Sequence, residues 1–287
     1  MLTAGRLAWN SASADQAVRL LEHCIALCEE LGAAAAQPAR TARTVLGMIA
    51  YSAALAIPLA DDAAGTAALQ ANLGINALAR DEFDRAMALF KETLAFRQAI
   101  GDTVREAHAW NCIGAAAAGL EQLEKATEAF LRSQTLYQSL GDPVHAAHAR
   151  INLGDIAVRQ GQPQQALSFY EAALPSLRET EDIRGIVVCH IGQAKANLAL
   201  ERFQPTVAVL RQALTLNRKH DYQGNQASIL EIVSLLAQSQ NESALAEQAQ
   251  EGAEALRVHL QGDTALGVAA TDDLLGDVLT WLETREH

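Results

Sequence analysis

The chain has 287 residues, of which half are apolar and only 5% aromatic, and its formal net charge is −12. The apolar fraction allows a substantial core, whereas the acidic balance argues against a nucleic-acid surface, since neutralising phosphates requires clustered Lys and Arg. The first residues lack a signal-peptide pattern, and the most apolar stretch, 45–60, contains Pro58 and is short for a bilayer span. Four cysteines do not make a disulfide framework in a chain of this length. We therefore expect a cytoplasmic protein without membrane contact.

The N-terminal region, 1–62, shows no clear period and predicts irregular helices that form a partial repeat. Residues 15–33 are typical of the second helix of a pair, and a long helix is predicted from about Arg40 to Ile57. This abrupt start suggests a module of something longer, with an apolar helix face open to self-association. Cys24 and Cys28 lie one helical turn apart beside His23, which could be half of a zinc site. Because no second ligand pair follows, we interpret both cysteines as packing residues and predict no metal.

From residue 63 onward, the sequence repeats itself at an interval of forty residues. Small residues recur at Gly74, Gly114, Gly154 and Ala194, and large ones recur at Phe90, Phe130, Tyr170 and Leu210. Between these two sets, Ala86, Ala126, Ala166 and Thr206 keep the same interval. Several positions in constant register are not a chance match, so the chain is predicted to be a repeat array.

Each repeat unit predicts two helices separated by short turns. Apolar residues follow helical spacing in segments such as 83–100. Gly101 and Gly141 suit the left-handed residue that ends a helix, and Asp102, Asp142 and Asp182 then suit the N-cap of the next one. A single helix pair cannot bury its apolar face, so neighbouring pairs are expected to stack into a solenoid.

The pattern resembles the tetratricopeptide repeat, whose small and aromatic positions match Trp110, Ile113, Gly114, Ala126 and Phe130. The forty-residue period is similar to that of arrays in kinesin light chains, LGN-type scaffolds and the sensor regions of bacterial regulators. The resemblance implies an all-α, right-handed α-solenoid with five helix pairs over 63–261. The fifth pair is degenerate, because Ser234 replaces the small Gly. The last segment, 262–287, is predicted to be a capping helix.

The resemblance also implies that the first helix of each pair lines a concave groove. One stripe of each first helix contains four positions that share a helical face. Relative to the recurring small residue, they lie six and two residues before it and one and five residues after it. Asn72 and Asn152 share one of these positions, and Asn111 is shifted by one. A carboxamide matches a peptide bond as donor and acceptor, although it could equally bond to a neighbouring helix or water. The candidate peptide-binding residues are Asn72, His108, Asn111, His148, Asn152, Asp155, Arg159 and Lys195.

Catalytic chemistry is not indicated by the spacing of reactive residues. His108 and His148 are repeat equivalents that could act as ligands, pH sensors or groove donors, but no nucleophile is placed beside a base and a carboxylate. We therefore expect no enzyme activity, no cofactor and no metal. The predicted function is a scaffold that binds a protein or peptide in the groove, and the alternative is an effector- or peptide-sensing regulatory domain of a bacterial transcription or signalling protein.

Overall fold

A computed structural model describes residues 63–220, 223–260 and 268–284. The described residues form helices and turns without any β-strand, as the period predicted. The N-terminal predictions, including those for Cys24 and Cys28, lie outside this part of the chain. The helices are α1 (Ala63–Leu78), α2 (Phe83–Ala99), α3 (Thr103–Gly119), α4 (Leu123–Ser139), α5 (Pro143–Arg159), α6 (Pro163–Glu179), α7 (Ile183–Ala199), α8 (Phe203–His220), α9 (Gln223–Ser239), α10 (Ser243–Leu260) and α11 (Val268–Glu283).

Short turns with one left-handed residue separate most of these helices. Gly101 and Gly141 have φ angles of +71° and +68°, which confirms their predicted role at the helix ends. Glu181 takes the same place before α7 with a φ of 53°, although it carries a side chain. The turns therefore keep a common geometry even where glycine is replaced.

Aspartate side chains cap the first helix of three successive pairs. The carboxylates of Asp102, Asp142 and Asp182 accept hydrogen bonds from backbone N–H groups three residues later. Each bond satisfies a donor that has no partner within the helix. Pro143 occupies the first turn of α5, where its missing N–H costs nothing. These contacts confirm the predicted helix starts.

The recurring glycines are contact points between the two helices of a pair. A Cβ atom built on Gly114 would lie 2.6 Å from Phe130 Cε1, and one on Gly154 would lie 2.6 Å from Tyr170 Cε1. Each ring therefore rests on the backbone of the first helix. In the fourth pair Leu210 replaces the aromatic residue and Ala194 replaces glycine, and both are fully buried.

Sequential packing continues along the array. Each first helix packs on its own second helix, and each second helix contacts the next first helix. Ser234, which breaks the glycine pattern in α9, is buried and donates its hydroxyl to the Ala246 carbonyl at 2.8 Å. Helix α11 contacts α8 and α10 and adds Leu275, Val278 and Leu282 to the last core cluster. The described chain is a helical solenoid of five pairs, followed by one further helix.

Candidate functional site

The predicted stripe is largely accessible on the first helices, but it is interrupted. Asn72, His108, Asp155, Arg159 and Lys195 are exposed, and Asn152 and His148 are partly so. Cys112 and Gly192, which share the stripe by spacing, are buried instead. A Cβ on Gly192 would lie 2.3 Å from the Tyr170 ring, because this ring reaches across to the next first helix. The accessible residues of the stripe therefore do not form one continuous surface, because buried residues separate them.

A cavity of about 380 Å³ spans the first three helix pairs on this side, and we call it the groove cavity. Two predicted residues, Asn72 and His108, line it together with the exposed apolar side chains of Ile75 and Val104. The sequence pattern did not assign the other polar residues of its wall to a site; these are Thr93, Arg97, Arg105, Tyr137, Asp142 and His145. Asp142 was predicted only as an N-cap. Arg105 of α3 and His145 of α5 occupy equivalent positions of two repeats, and both carry a charged or titratable group.

Asn111 and Asn152 meet across two units. The Asn152 Nδ2 group donates to Asn111 Oδ1 at 2.9 Å, joining α3 to α5. The one-residue shift of Asn111 in the sequence is therefore compatible with direct contact. The pair leaves the Asn152 carbonyl oxygen and the Asn111 NH₂ group with unused hydrogen-bonding capacity. Both side chains are partly exposed, so a ligand can reach these atoms.

The imidazoles of α5 contact the N-cap carboxylates. His145 Nδ1 lies 2.7 Å from Asp142 Oδ2, and the His145 ring stacks on Tyr137 at a centroid distance of 4.9 Å. His148 Nε2 lies 2.8 Å from Asp182 Oδ2 in the next unit. The predicted residue His148 is thus held in place by an N-cap aspartate rather than left free.

Asp155 and Arg159 extend the polar surface of α5. Tyr170 donates its hydroxyl to Asp155 at 2.6 Å, and Arg159 contacts both the Ala118 carbonyl and Glu121 of the preceding unit. Asp155 is accessible but lies among surrounding helices that displace much of its water, which raises its pKa. The Tyr170 hydroxyl and the positive charge of Lys195 partly oppose this effect.

His108 lies against Cys112, with 3.7 Å between Nδ1 and the Cys112 sulfur. Desolvation lowers the pKa of His108, and the nearby His145 contributes to the same shift. Burial raises the pKa of Cys112 to about 12, so the thiol stays protonated at neutral pH. A protonated thiol is a poor nucleophile.

Several charged groups along this side of the array contact one another. Arg105 pairs with Asp102 at 2.8 Å, and Asp142 and Asp182 are engaged by His145 and His148 as above. Lys195 has no ion pair at 4.0 Å or less with any described residue.

Neither a metal site nor a membrane span is evident in the described helices. No group of three His, Cys, Asp or Glu side chains comes together there in a way that could hold a metal ion. None of these helices combines the length and apolarity needed to cross a bilayer.

The fold and the groove cavity define a class of helical repeat protein whose first helices present an open surface lined by side chains. Comparison with known families identifies the units: residues 66–100 and 105–179 both match tetratricopeptide repeat models. The units in these two ranges are tetratricopeptide repeats, as the sequence pattern predicted. No curated protein shows significant similarity to the chain.

Solved structures share the fold at low sequence identity. A Rap protein complexed with Competence and Sporulation Factor is 11% identical, with 99% of this chain and 86% of that chain covered and a TM-score of 0.60. A kinesin light chain-type protein from Podosopora anserina is 15% identical over 67% of this chain and 94% of that chain, with a TM-score of 0.51. A signal transduction ATPase with a tetratricopeptide repeat sensor from Pyrococcus horikoshii is 16% identical, with 99% of this chain and 50% of that chain covered and a TM-score of 0.52.

Proposed function

We propose that the concave side of the first helices binds an extended peptide or protein segment, without catalysing a reaction on it. The groove cavity carries this proposal. It places the exposed side chains of Ile75 and Val104 beside the polar groups of Asn72 and His108. Peptide ligands present apolar side chains and backbone amides together, so a site for them needs both kinds of contact.

The Asn111–Asn152 pair supports the proposal at the level of hydrogen bonds. Its free carbonyl oxygen and NH₂ group provide the acceptor and donors that a peptide backbone requires. Since the pair already fixes both carboxamides, little side-chain entropy remains to be lost on binding. The charged residues that follow, Asp155, Arg159 and Lys195, would then select among ligand side chains.

The fold comparisons are compatible with two uses of such a groove. One of the similar structures is a Rap protein complexed with Competence and Sporulation Factor, and another is a signal transduction ATPase with a tetratricopeptide repeat sensor. We favour a scaffold role, in which the groove simply holds its partner. A sensing role would require the array to change shape on binding, and small-angle scattering with and without ligand would distinguish the two.

The test starts from peptides selected on the parent protein from a random phage-displayed library. Replacing Asn152 with Ala removes one carboxamide and unpairs the other, so the selected peptide should bind about tenfold to hundredfold more weakly in calorimetry. Gln138→Ala, an exposed carboxamide on the second helix α4, is the matched control and should bind normally. Unchanged affinity in a folded Asn152→Ala variant would exclude the groove assignment.

A further inference from the structure

The wall of the groove cavity contains two polar side chains that come from second helices rather than first helices. Arg97 of α2 is 5% exposed and Tyr137 of α4 is 4% exposed, yet both line the cavity. The two residues are repeat equivalents, forty residues apart. The cavity therefore reaches past the exposed stripe of the first helices to buried groups that the stripe does not include.

The guanidinium group of Arg97 has fewer partners than a buried charge needs. Its Nη1 atom lies 3.4 Å from Asp102 Oδ2, but Arg105 Nη1 lies only 2.8 Å from the same oxygen. The Nε atom of Arg97 is enclosed and has no hydrogen-bond partner. Nη2 makes no hydrogen bond to a described residue either, but it is not among the enclosed atoms. Because a buried charge is stable only when it is paired and hydrogen-bonded, Arg97 retains the capacity to bind a further anion.

Two nearby carboxylates, Asp102 beside Arg97 and Asp142 in the cavity wall, are occupied by other groups. Asp102 accepts a hydrogen bond from the backbone N–H of Arg105 at 3.1 Å as the N-cap of α3. Asp142 accepts from the backbone N–H of His145 at 3.0 Å and also contacts the His145 ring. Neither carboxylate can turn fully to Arg97 without giving up a helix cap. One carboxylate thus serves two guanidinium groups, Arg97 and Arg105.

The hydroxyl group of Tyr137 is a second donor available to the cavity. It forms no hydrogen bond with a described residue, and it is not among the enclosed unpaired atoms. Burial raises the pKa of Tyr137 to about 12, and the charge of Asp142 contributes to this shift. The phenol therefore stays protonated at neutral pH and can donate to an anion.

The charge of Arg97 is not required by the repeat. The equivalent positions in the next three units hold Tyr137, Leu177 and Asn217, which are buried and uncharged. Leu177 shows that an apolar side chain fills this place in the fold. Arginine at position 97 therefore indicates a role beyond packing.

We propose that Arg97 and Tyr137 bind an acidic side chain of the segment held in the groove, so that the groove selects ligands with Asp or Glu at one position. This inference rests on the proposed peptide-binding function and adds the chemistry of the ligand. The planar guanidinium group suits a carboxylate, which accepts charge-assisted hydrogen bonds from it. A neutral carbonyl would also accept a hydrogen bond, but it would leave Arg97 and Arg105 sharing one counter-charge.

The surroundings of Arg97 fit an acidic residue within a longer segment. The exposed apolar side chains of Ile75 and Val104 line the same cavity and can contact the neighbouring residues of the ligand. His108 of the cavity wall precedes Asn111 by three residues on α3, and residues at this spacing are neighbours on a helix surface. A segment that enters the cavity can therefore continue to the Asn111–Asn152 pair.

The experiment uses peptides selected on the parent protein from the random library, displayed as N-terminal fusions to the phage coat protein so that they have no free C-terminus. The selected sequences should share Asp or Glu at one position. One of these peptides and a version in which Asn or Gln replaces the acid are synthesised with amidated C-termini and titrated by calorimetry. The parent protein should bind the acidic version about tenfold to hundredfold more tightly, because the amide version lacks the charge-assisted hydrogen bonds.

Variants of the protein then assign this preference to the two residues. Arg97→Leu copies Leu177 and should bind the acidic and amide versions with equal affinity. Tyr137→Phe removes only the hydroxyl group and should reduce the preference about threefold to tenfold. Arg132→Gln, which removes an exposed guanidinium of α4 outside the cavity, is the control and should keep the preference of the parent. Circular dichroism checks the folding of each variant, and Tyr137→Phe decides if Arg97→Leu does not fold.

The outcomes separate this inference from the proposed function. If no peptide can be selected, or if the selected peptides bind Asn152→Ala as tightly as the parent, the groove assignment fails and the acidic subsite fails with it. If binding depends on Asn152 but the selected peptides lack a shared acid, or the acidic and amide versions bind the parent equally, only the acidic subsite is overturned. An unchanged preference in folded Arg97→Leu, or in Tyr137→Phe where Arg97→Leu does not fold, overturns it in the same way.

Discussion

At the scale of single residues, the array depends on matching the size of two positions sixteen residues apart. Phe130 rests on Gly114 and Tyr170 rests on Gly154, with no room for a Cβ atom. Where the large residue is Leu210, the small one is Ala194. Glycine inside a helix costs backbone entropy, so its use here indicates that the ring contact contributes more than glycine loses. The residue inside the first helix is therefore chosen to fit the side chain that packs on it from the second helix.

Replacing Gly114 with Ala should destabilise the protein by about 1–3 kcal/mol, because the new methyl group overlaps the Phe130 ring. Phe130→Leu in the same chain copies the Ala194–Leu210 pair and should recover part of that loss. Urea denaturation of both single variants and the double variant measures the coupling. Gly276→Ala is the control, since a Cβ there meets nothing within 4 Å, and it should stabilise by about 0.5–1 kcal/mol. Additive effects of the two core changes would contradict the size-matching argument.

At the scale of helices, the N-cap aspartates connect one unit to the next. Asp142 accepts from the His145 backbone N–H and also contacts the His145 ring, which stacks on Tyr137 of the preceding helix. Asp182 caps α7 and receives His148 from α5. The same carboxylates therefore start a helix and tie neighbouring helices together.

Asp142→Ala should lower stability at neutral pH by about 1 kcal/mol, as expected for loss of an N-cap. Partial burial opposes ionisation of Asp142, but hydrogen bonds from His145 hold its pKa below the ordinary value of 3.8. A lowered folded pKa means that this stabilisation is present above pH 3.8 and is lost as the pH falls through the folded value. Thermal melts over a series of pH values from 7 downward should therefore show a difference between parent and variant that is largest at pH 7 and shrinks as the Asp142 carboxylate is protonated. Asp142→Asn keeps an N-cap acceptor and should lose less; equal losses for Ala and Asn would assign the effect to charge alone.

At the scale of the whole molecule, stability is distributed along the array. One core cluster extends from Ala77 to Ile156, a second from Ala147 to Ala196 and a third from Val187 to Leu282. The clusters overlap in sequence because each helix packs on both neighbours. Such an array is stabilised by contacts between adjacent units rather than by one central core.

Circular dichroism of the purified chain should give a strongly helical spectrum without a strand contribution. Small-angle scattering should show a particle that is elongated or curved, because helix pairs add along one direction. A compact, near-spherical particle with substantial β content would contradict the solenoid.

The sequence by itself determined the helices, their ends and their pairing. Caps such as Asp102 and turn residues such as Gly101 act on their own backbone neighbours, and the forty-residue period places Gly114 opposite Phe130 wherever the unit is repeated. Local rules and periodicity are enough for these features, since each depends on residues nearby or in constant register.

Only the tertiary structure decided which groove residues meet. The rotation between successive units brings Asn111 to Asn152, attaches His148 to Asp182 and buries Cys112, although spacing placed Cys112 on the open stripe. A helical wheel describes one helix at a time, whereas these contacts depend on how far each unit is turned relative to the last, which is set by packing along the entire core.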